Sequence, residues 1–398
     1  MYGVYRADYP PLPPALTAGL RRATQLRHLR LDCKLNNAAA VADIAGLTGL
    51  ESLSVGLVRE EALLRRLLRP LTALTSFTAD VVPVVNSGSV EGLAELTELS
   101  LGITDLDVTA LSHLPHLTKL RCSGLVAPAG GAAAGAAAPE GGWPLPPELR
   151  DLSLLCQEPQ ELPRPLRGPP NGSVAGSVGF YLHTDAHILP SGELLPQAEA
   201  ALCGAAGALG QLMAPAVCTV GVTVMKGDHL GTLLRPVGGA AEAGAGRRNH
   251  TPWLEALGAM RPSGLVLAGV ALSHQDLNSI SRMASLTALD LRPPCAFPAS
   301  ALCTLLALPA LKELSIDCSS WVVGAGPGAA VREPPEARGV LLSLCCDKAG
   351  PRPKIKLYHS RSLPEGAVSG LAAMVTALQA GFEALGVEDR AQLSLAPV

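Results

Sequence analysis

The sequence predicts an α/β solenoid (a horseshoe), with a parallel β-sheet lining its concave side and helices or loops on its convex side. Three observations lead there. A triplet of apolar positions, L-x-x-L-x-L, recurs at nearly constant intervals. Helix and turn signals fall between its copies. The hydrophobic fraction is 48% but only 3% of residues are aromatic, so any core must be assembled from many small aliphatic contributions.

The copies run in order along the chain. Leu26, Leu29 and Leu31 are followed by Leu50, Leu53 and Val55, then by Leu74, Phe77 and Ala79. Leu96, Leu99, Leu101 and Leu117, Leu120, Cys122 are the clearest pair. First positions at 26, 50, 74, 96 and 117 give spacings of 24, 24, 22 and 21. Later copies start at Leu149, Leu286 and Leu311. Side chains alternate across a strand, so the fourth and sixth positions of the motif share one face. No single repeat buries them alone, so neighbours must stack and their strands pair in parallel. Between strands the chain must return across the outer side. "REEALLRRLLRP" predicts a crossover helix with Leu63, Leu64, Leu67 and Leu68 on one face and Pro70 at its end. "DLDVTALSHLP" is a shorter version with Asp105 or Asp107 as N-cap, and "HQDLNSISRM" serves before Leu286.

Residues 171–260 fit the motif poorly. "GSVGFYLHT" and "VCTVGVTVMK" still read as strands, with helices over Glu193–Met213 and Trp253–Met260. "SGLVLAGVALS" restores the pattern around Leu265 and Leu267. "GVLLSLCC" and "KIKLYHS" read as closing strands, and 364–385 as an amphipathic helix. The expected organisation is a capping segment over 1–19, a solenoid over 20–345 and a capping strand and helix over 346–398. Ala/Gly/Pro-rich insertions near 126–142, 236–250 and 323–339 cannot build a packed core and read as decorating loops.

With its period of about 20–29 residues and its L-x-x-L-x-L core, the chain resembles leucine-rich-repeat proteins. That family usually carries Asn or Cys at the ninth position; here Lys34, Val58, Val82, Thr104, Leu125, Gln157 and Ser319 stand there. "ITDLDVTALSHLPHL" resembles the cysteine-containing subtype of F-box companions, and "LPPELRDLSLL" the short bacterial and plant style. The resemblance implies a non-catalytic protein–protein interaction scaffold. Its runners-up are a substrate-receptor subunit for ubiquitin ligation, with no room for an F-box before the first repeat, and a cytoskeletal or axonemal structural protein. A metal-dependent enzyme is the most distant alternative.

Other features narrow the class. Charged residues are only 16% of the chain and their sum is −3, which leaves no electrostatic footprint for nucleic acid or an anionic membrane. No C-x-x-C occurs among ten cysteines, and Cys33, Cys122 and Cys318 fall on or beside strand positions, as reduced, buried thiols do. The reading is a cytoplasmic monomer without cofactor, with cytoskeleton or cilium axoneme as alternative locations. The stretch 200–225 lacks charge but is Ala/Gly-rich and interrupted by Pro215, so it reads as a buried helix and a strand rather than a membrane span. "HTDAH" offers His183, Asp185 and His187 as metal ligands, but it follows a strand and reads as a turn. His113 and His116 belong to a helix end, Cys295 and Cys303 to aliphatic packing, and the Gly-rich runs lack the G-K-[ST] of a phosphate loop.

The letters between the leucines then line the concave face. One column reads His28, Ser52, Ser76, Glu98, Lys119, Asp151, Ala288, Glu313. The next reads Arg30, Ser54, Thr78, Ser100, Arg121, Ser153, Asp290, Ser315, and the third includes Asp32, Asp80, Arg292 and Asp317. His28, Arg30, Asp32, Asp80, Glu98, Ser100, Lys119, Arg121, Asp290, Arg292, Glu313 and Asp317 are the expected partner-binding residues. The partner is expected to be a protein.

Overall fold

In the computed structural model the described residues are 9–128, 142–225 and 249–397, less positions within 14–18, 158–164, 170–171, 190–191, 324–334, 347–352, 360–362 and 385–392. Most of the three predicted insertions lies outside them. Contacts divide the chain into two units, 1–178 with 211–214, and 179–210 with 215–398.

The first unit holds β1 (His28–Leu35), β2 (Ser52–Val58), β3 (Ser76–Val81), β4 (Glu98–Leu101), β5 (Asp105–Asp107), β6 (Lys119–Cys122), β7 (Gly124–Val126), β8 (Trp143–Pro144), β9 (Asp151–Cys156) and β10 (Leu166–Arg167). Strands β1, β2, β3, β4, β6 and β9 lie side by side in that order, all parallel, while β5 pairs with β7 and β8 with β10. The register aligns the motif: Leu29, Leu53, Phe77, Leu99, Leu120 and Leu152 face one another strand by strand. From Leu53 to Leu152 these are at most 2% exposed; only Leu29, in the first strand, is half-buried. Two predicted crossovers are present here as helix Glu61–Leu68 and the 3₁₀ turn Val108–His113, and helix Ala38–Ala45 adds one that the sequence reading did not name. Leu63, Leu64, Leu67 and Leu68 are the buried face of helix Glu61–Leu68, as their spacing requires. The carboxylate of Asp107 caps the 3₁₀ turn by accepting the Thr109 N–H at 2.8 Å.

A strand β11 (Val174–His183) runs from the first unit into the second, which contains β12 (Met213–Met225) from Pro215 on, β13 (Gly264–Ala268), β14 (Ala288–Arg292), β15 (Glu313–Asp317), β16 (Val322–Val323), β17 (Ala330–Val331), β18 (Lys354–His359) and β19 (Leu393–Pro397). Here β12, β13, β14, β15, β18 and β19 are parallel neighbours, and β16 pairs antiparallel with β17. Within this unit Val220, Leu265, Leu289, Leu314 and Ile355 align in an apolar row of their own, with position 393 in register beside Ile355. The poorly matching region therefore supplies a strand in register with the recognisable repeats, preceded by helix Pro196–Gly210. Helices Thr251–Ala259, His274–Ser281 and Glu365–Ala384 also match expectation. The last is long and apolar enough to cross a membrane, yet it buries Leu371, Met374, Leu378 and Phe382 along one side. Both units thus have the architecture of a leucine-rich-repeat-like α/β solenoid.

Two elements differ from the sequence reading. "GVLLSLCC" is no strand: residues Pro335–Cys346 form a helix that buries Ala337, Val340, Leu341 and Leu344, a helical spacing that a short apolar run disguises. After helix Glu365–Ala384 the chain adds β19, an extra parallel partner for β18.

Hydroxyls and thiols bond backbone carbonyls at the strand ends. Just before β2, β3, β4 and β13 one carbonyl accepts three donors. Glu51 O receives the N–H groups of Thr75 and Ser76 (2.8 and 3.0 Å) and the Thr75 hydroxyl (3.0 Å). Thr75 O and Thr97 O repeat the arrangement with Thr97 and Thr118, and Ser263 O with Thr287. At the far strand ends Thr104 Oγ1 donates to Val82 O (3.0 Å) and accepts from its N–H (3.1 Å), and Ser123 donates to Gly102 O (3.0 Å). In the second unit the thiols of Cys295 and Cys318 donate to Val270 O (3.1 Å) and Tyr358 O (2.8 Å). Between repeats, buried Asp276 ties two crossovers together. Its carboxylate accepts the His250 N–H (2.7 Å) and both the N–H and hydroxyl of Ser273 (2.8 and 2.7 Å).

Two stability outcomes follow. Leu120→Ala should lose about 2–5 kcal/mol in urea unfolding, whereas Ser100→Ala on the outward face should change it by less than about 0.5 kcal/mol. Asp276→Ala leaves three donors without their acceptor and should cost about 3 kcal/mol or more; Asp276→Asn should recover part of it.

Candidate binding face

Alternation along the strands turns every second side chain away from the leucines. Register then assembles these into rows. In the first unit Ser76, Glu98, Lys119 and Asp151 face one another across β3, β4, β6 and β9. Two residues further along, Arg30, Ser54, Thr78, Ser100, Arg121 and Ser153 do the same from β1 to β9. The parts of the two rows on β3, β4, β6 and β9 line an open depression of about 450 Å³, together with Gly176 and Ser177 of β11. Ser177 and Ser153 share a hydrogen bond of 3.0 Å. Gly176 is required where β11 meets β9: φ is +139°, and a Cβ would fall 2.1 Å from Leu152 O.

Charges on this face are largely matched. Lys119 Nζ meets Glu98 Oε1 at 2.6 Å, and that bond and charge hold the Lys119 ammonium above its usual range. Arg30 pairs with Asp32 at 3.0 Å and is raised by the same partner. Asp80 accepts the hydroxyl of Tyr9. The Tyr9 ring lies on Gly56, where a Cβ would come within 2.6 Å of ring carbons, so the N-terminal segment covers this end of the face. Pro11 also pairs with Lys34. Arg121, exposed in the middle of the hydroxyl row, forms no ion pair among the described residues.

Of the expected binding residues, Glu98, Ser100, Lys119 and Arg121 are brought together in the depression. Exposed His28, Arg30 and Asp32 stand on β1, and Asp80 is occupied by Tyr9. The remaining four belong to the second unit. Asp290 and Arg292 form a 2.7 Å ion pair, with burial raising the Asp290 carboxyl against the opposing pull of Arg292. Glu313 is exposed at the start of β15. Asp317 must be corrected: it is 3% exposed and accepts the N–H groups of Cys295 (3.1 Å) and Ser319 (2.8 Å). It holds the turn after β15 and offers no surface. Sequence reasoning also missed Ser177, because β11 lacks the leucine triplet; the alternation in "GSVGFYLHT" carries its signal. Tyr9 was hidden in a segment without periodicity.

"HTDAH" ends β11 and forms one helical turn, Thr184–His187. The His183 N–H donates to His187 Nδ1 at 2.9 Å, which commits that nitrogen as an acceptor. Among the described residues no group of three or more His, Cys, Asp or Glu side chains is arranged to hold a metal ion. Cys295 is buried and Cys303 exposed, so they do not behave as a pair.

No protein-family model matches the chain, and no curated protein matches it either. Solved structures similar to it include TLR13 in a complex with ssRNA13, at 15% identity over 69% of this chain and 47% of that one, with a TM-score of 0.22. A Leptospira interrogans leucine-rich-repeat protein is 13% identical over 77% of this chain and 86% of its own, with a TM-score of 0.20. The chain spans about half the length of the first. The fold assignment above rests on the strand register itself.

Burial lifts the thiols of Cys156, Cys218 and Cys318 to about 12 and raises that of Cys122 as well. A raised thiol pKa leaves almost no thiolate near pH 8. Iodoacetamide at pH 8 should therefore modify exposed Cys303 in the native chain and spare these four until urea unfolds it, as read by peptide mass mapping.

Proposed function

We propose that this chain is a non-catalytic scaffold that binds a protein partner through the outward sheet face of its first unit. The observation that supports the reading most directly is the depression over β3, β4, β6 and β9. It gathers Glu98, Ser100, Lys119 and Arg121 with Thr78 and Ser153 on a sheet whose backbone is fixed by its neighbours. A rigid platform with exposed donors and acceptors presents hydrogen bonds to an extended segment at little ordering cost. Solenoids commonly bind along such stacked surfaces. The charges bear on the partner class too: Lys119 and Arg121 are balanced by Glu98 and Asp151, which does not favour a phosphate backbone. The setting proposed with it is cytoplasmic, where the eight described cysteines, none of them in a disulfide, would stay reduced.

The test compares partner capture by the wild type with two variants. Ser100→Trp fills the depression, and Arg66→Glu alters the helix on the opposite side. Specific partners should be lost with Ser100→Trp and kept with Arg66→Glu, with unchanged melting curves for both. Retention of every partner by Ser100→Trp would contradict the reading.

A further inference from the structure

Around Arg121 the first unit's face has a pattern that its other charged residues lack. Ser54, Thr78, Ser100 and Ser153 occupy the same row, and Ser100 and Ser153 lie directly opposite Arg121 on the two adjoining strands. Neighbouring strands are about 4.8 Å apart, so both hydroxyls are within reach of an anion seated on the guanidinium. The other cations on the face are engaged, Arg30 with Asp32 and Lys119 with Glu98. Arg121 has no such partner among the described residues, and the Ser100 hydroxyl has no hydrogen bond there.

We propose that Arg121, with Ser100 and Ser153, is the seat for one carboxylate side chain of a partner segment laid across the strands. The proposal rests on the binding-face reading above and names the chemistry recognised there. A guanidinium presents two parallel donors that match a carboxylate bidentately, which an ammonium does not. Apart from Arg30 at its far end, already paired with Asp32, the row is otherwise made of hydroxyls, which act as donors to the remaining carboxylate lone pairs. Glu98 and Asp151 line the next row of the same depression. Their charges penalise a dianion or a run of anions more than a single carboxylate. The recognised feature is therefore an isolated Asp or Glu within a largely neutral segment.

The test selects random 12-residue peptides displayed on phage against the full-length chain. Each selected peptide is then synthesised and its affinity measured by fluorescence anisotropy. Wild-type protein should select peptides that contain a common Asp or Glu. Changing that residue to Asn or Gln, or changing Arg121→Gln, should each weaken binding by about tenfold or more. The two changes together should cost no more than one alone, as expected for groups that contact each other. Arg121→Lys should lie between, and its charge and melting curve control for folding. Replacing the acidic residue by phosphoserine should not strengthen binding. Additive losses, or phosphoserine binding more than tenfold tighter, would overturn the carboxylate seat. Peptides without acidic residues that are nevertheless lost with Ser100→Trp would overturn it while leaving the binding face intact. Peptides indifferent to Ser100→Trp would remove the binding-face reading itself.

Discussion

A strand that carries L-x-x-L-x-L offers its leucines to one side only, and a single repeat is too thin to take them out of water. Each therefore depends on the repeat before and after it. The aligned row from Leu53 to Leu152 is the physical result: side chains at most 2% exposed, each in register with the same position of the next strand. Once that row is buried, the register is fixed, because a slip of one residue would turn every leucine outward. The arrangement of the outward residues follows without further choice.

Stacking also brings backbone groups together at the strand ends, where they need partners. Threonine and serine hydroxyls meet that need at both ends, joined by the thiols of Cys295 and Cys318 and the carboxylate of Asp317. The thiols explain why several cysteines are buried at turns: they are small enough for the core and still donate to a carbonyl. Asp276 performs a related task between crossovers, and its burial is supported by three donors.

How much of this could be read from the letters depends on how local each constraint is. The repeat triplets, the Glu61–Leu68 helix and the Asp107 cap are stated within about a dozen residues, and all three stand in the structure. The "L-T-x-L" string at 96, 117 and 286, with "LTSF" at 74, carries the hydroxyl ladder, but its meaning lies in a carbonyl one repeat away. "GVLLSLCC" was ambiguous because a short apolar run suits either period, and the helix was decided by burial of Ala337, outside the run. For the face, Glu98, Ser100, Lys119 and Arg121 followed from alternation alone. Asp317 did not, since it is the last residue of β15, still paired with Tyr358, and its buried carboxylate is taken up by the N–H groups of Cys295 and Ser319. Tyr9 reaches Asp80 across 71 residues, a contact no local pattern encodes.

The account assigns function to the residues between the leucines, and so it stands or falls on which side chains face outward in β4 and β6. Single cysteines placed in turn at 98–101 and 119–121, in a chain whose exposed Cys303 is changed to Ser, report this through their alkylation rates. The account predicts alternation: fast at 98, 100, 119 and 121, slow at 99, 101 and 120. Uniform rates, or the opposite alternation, would contradict the register and with it the binding face.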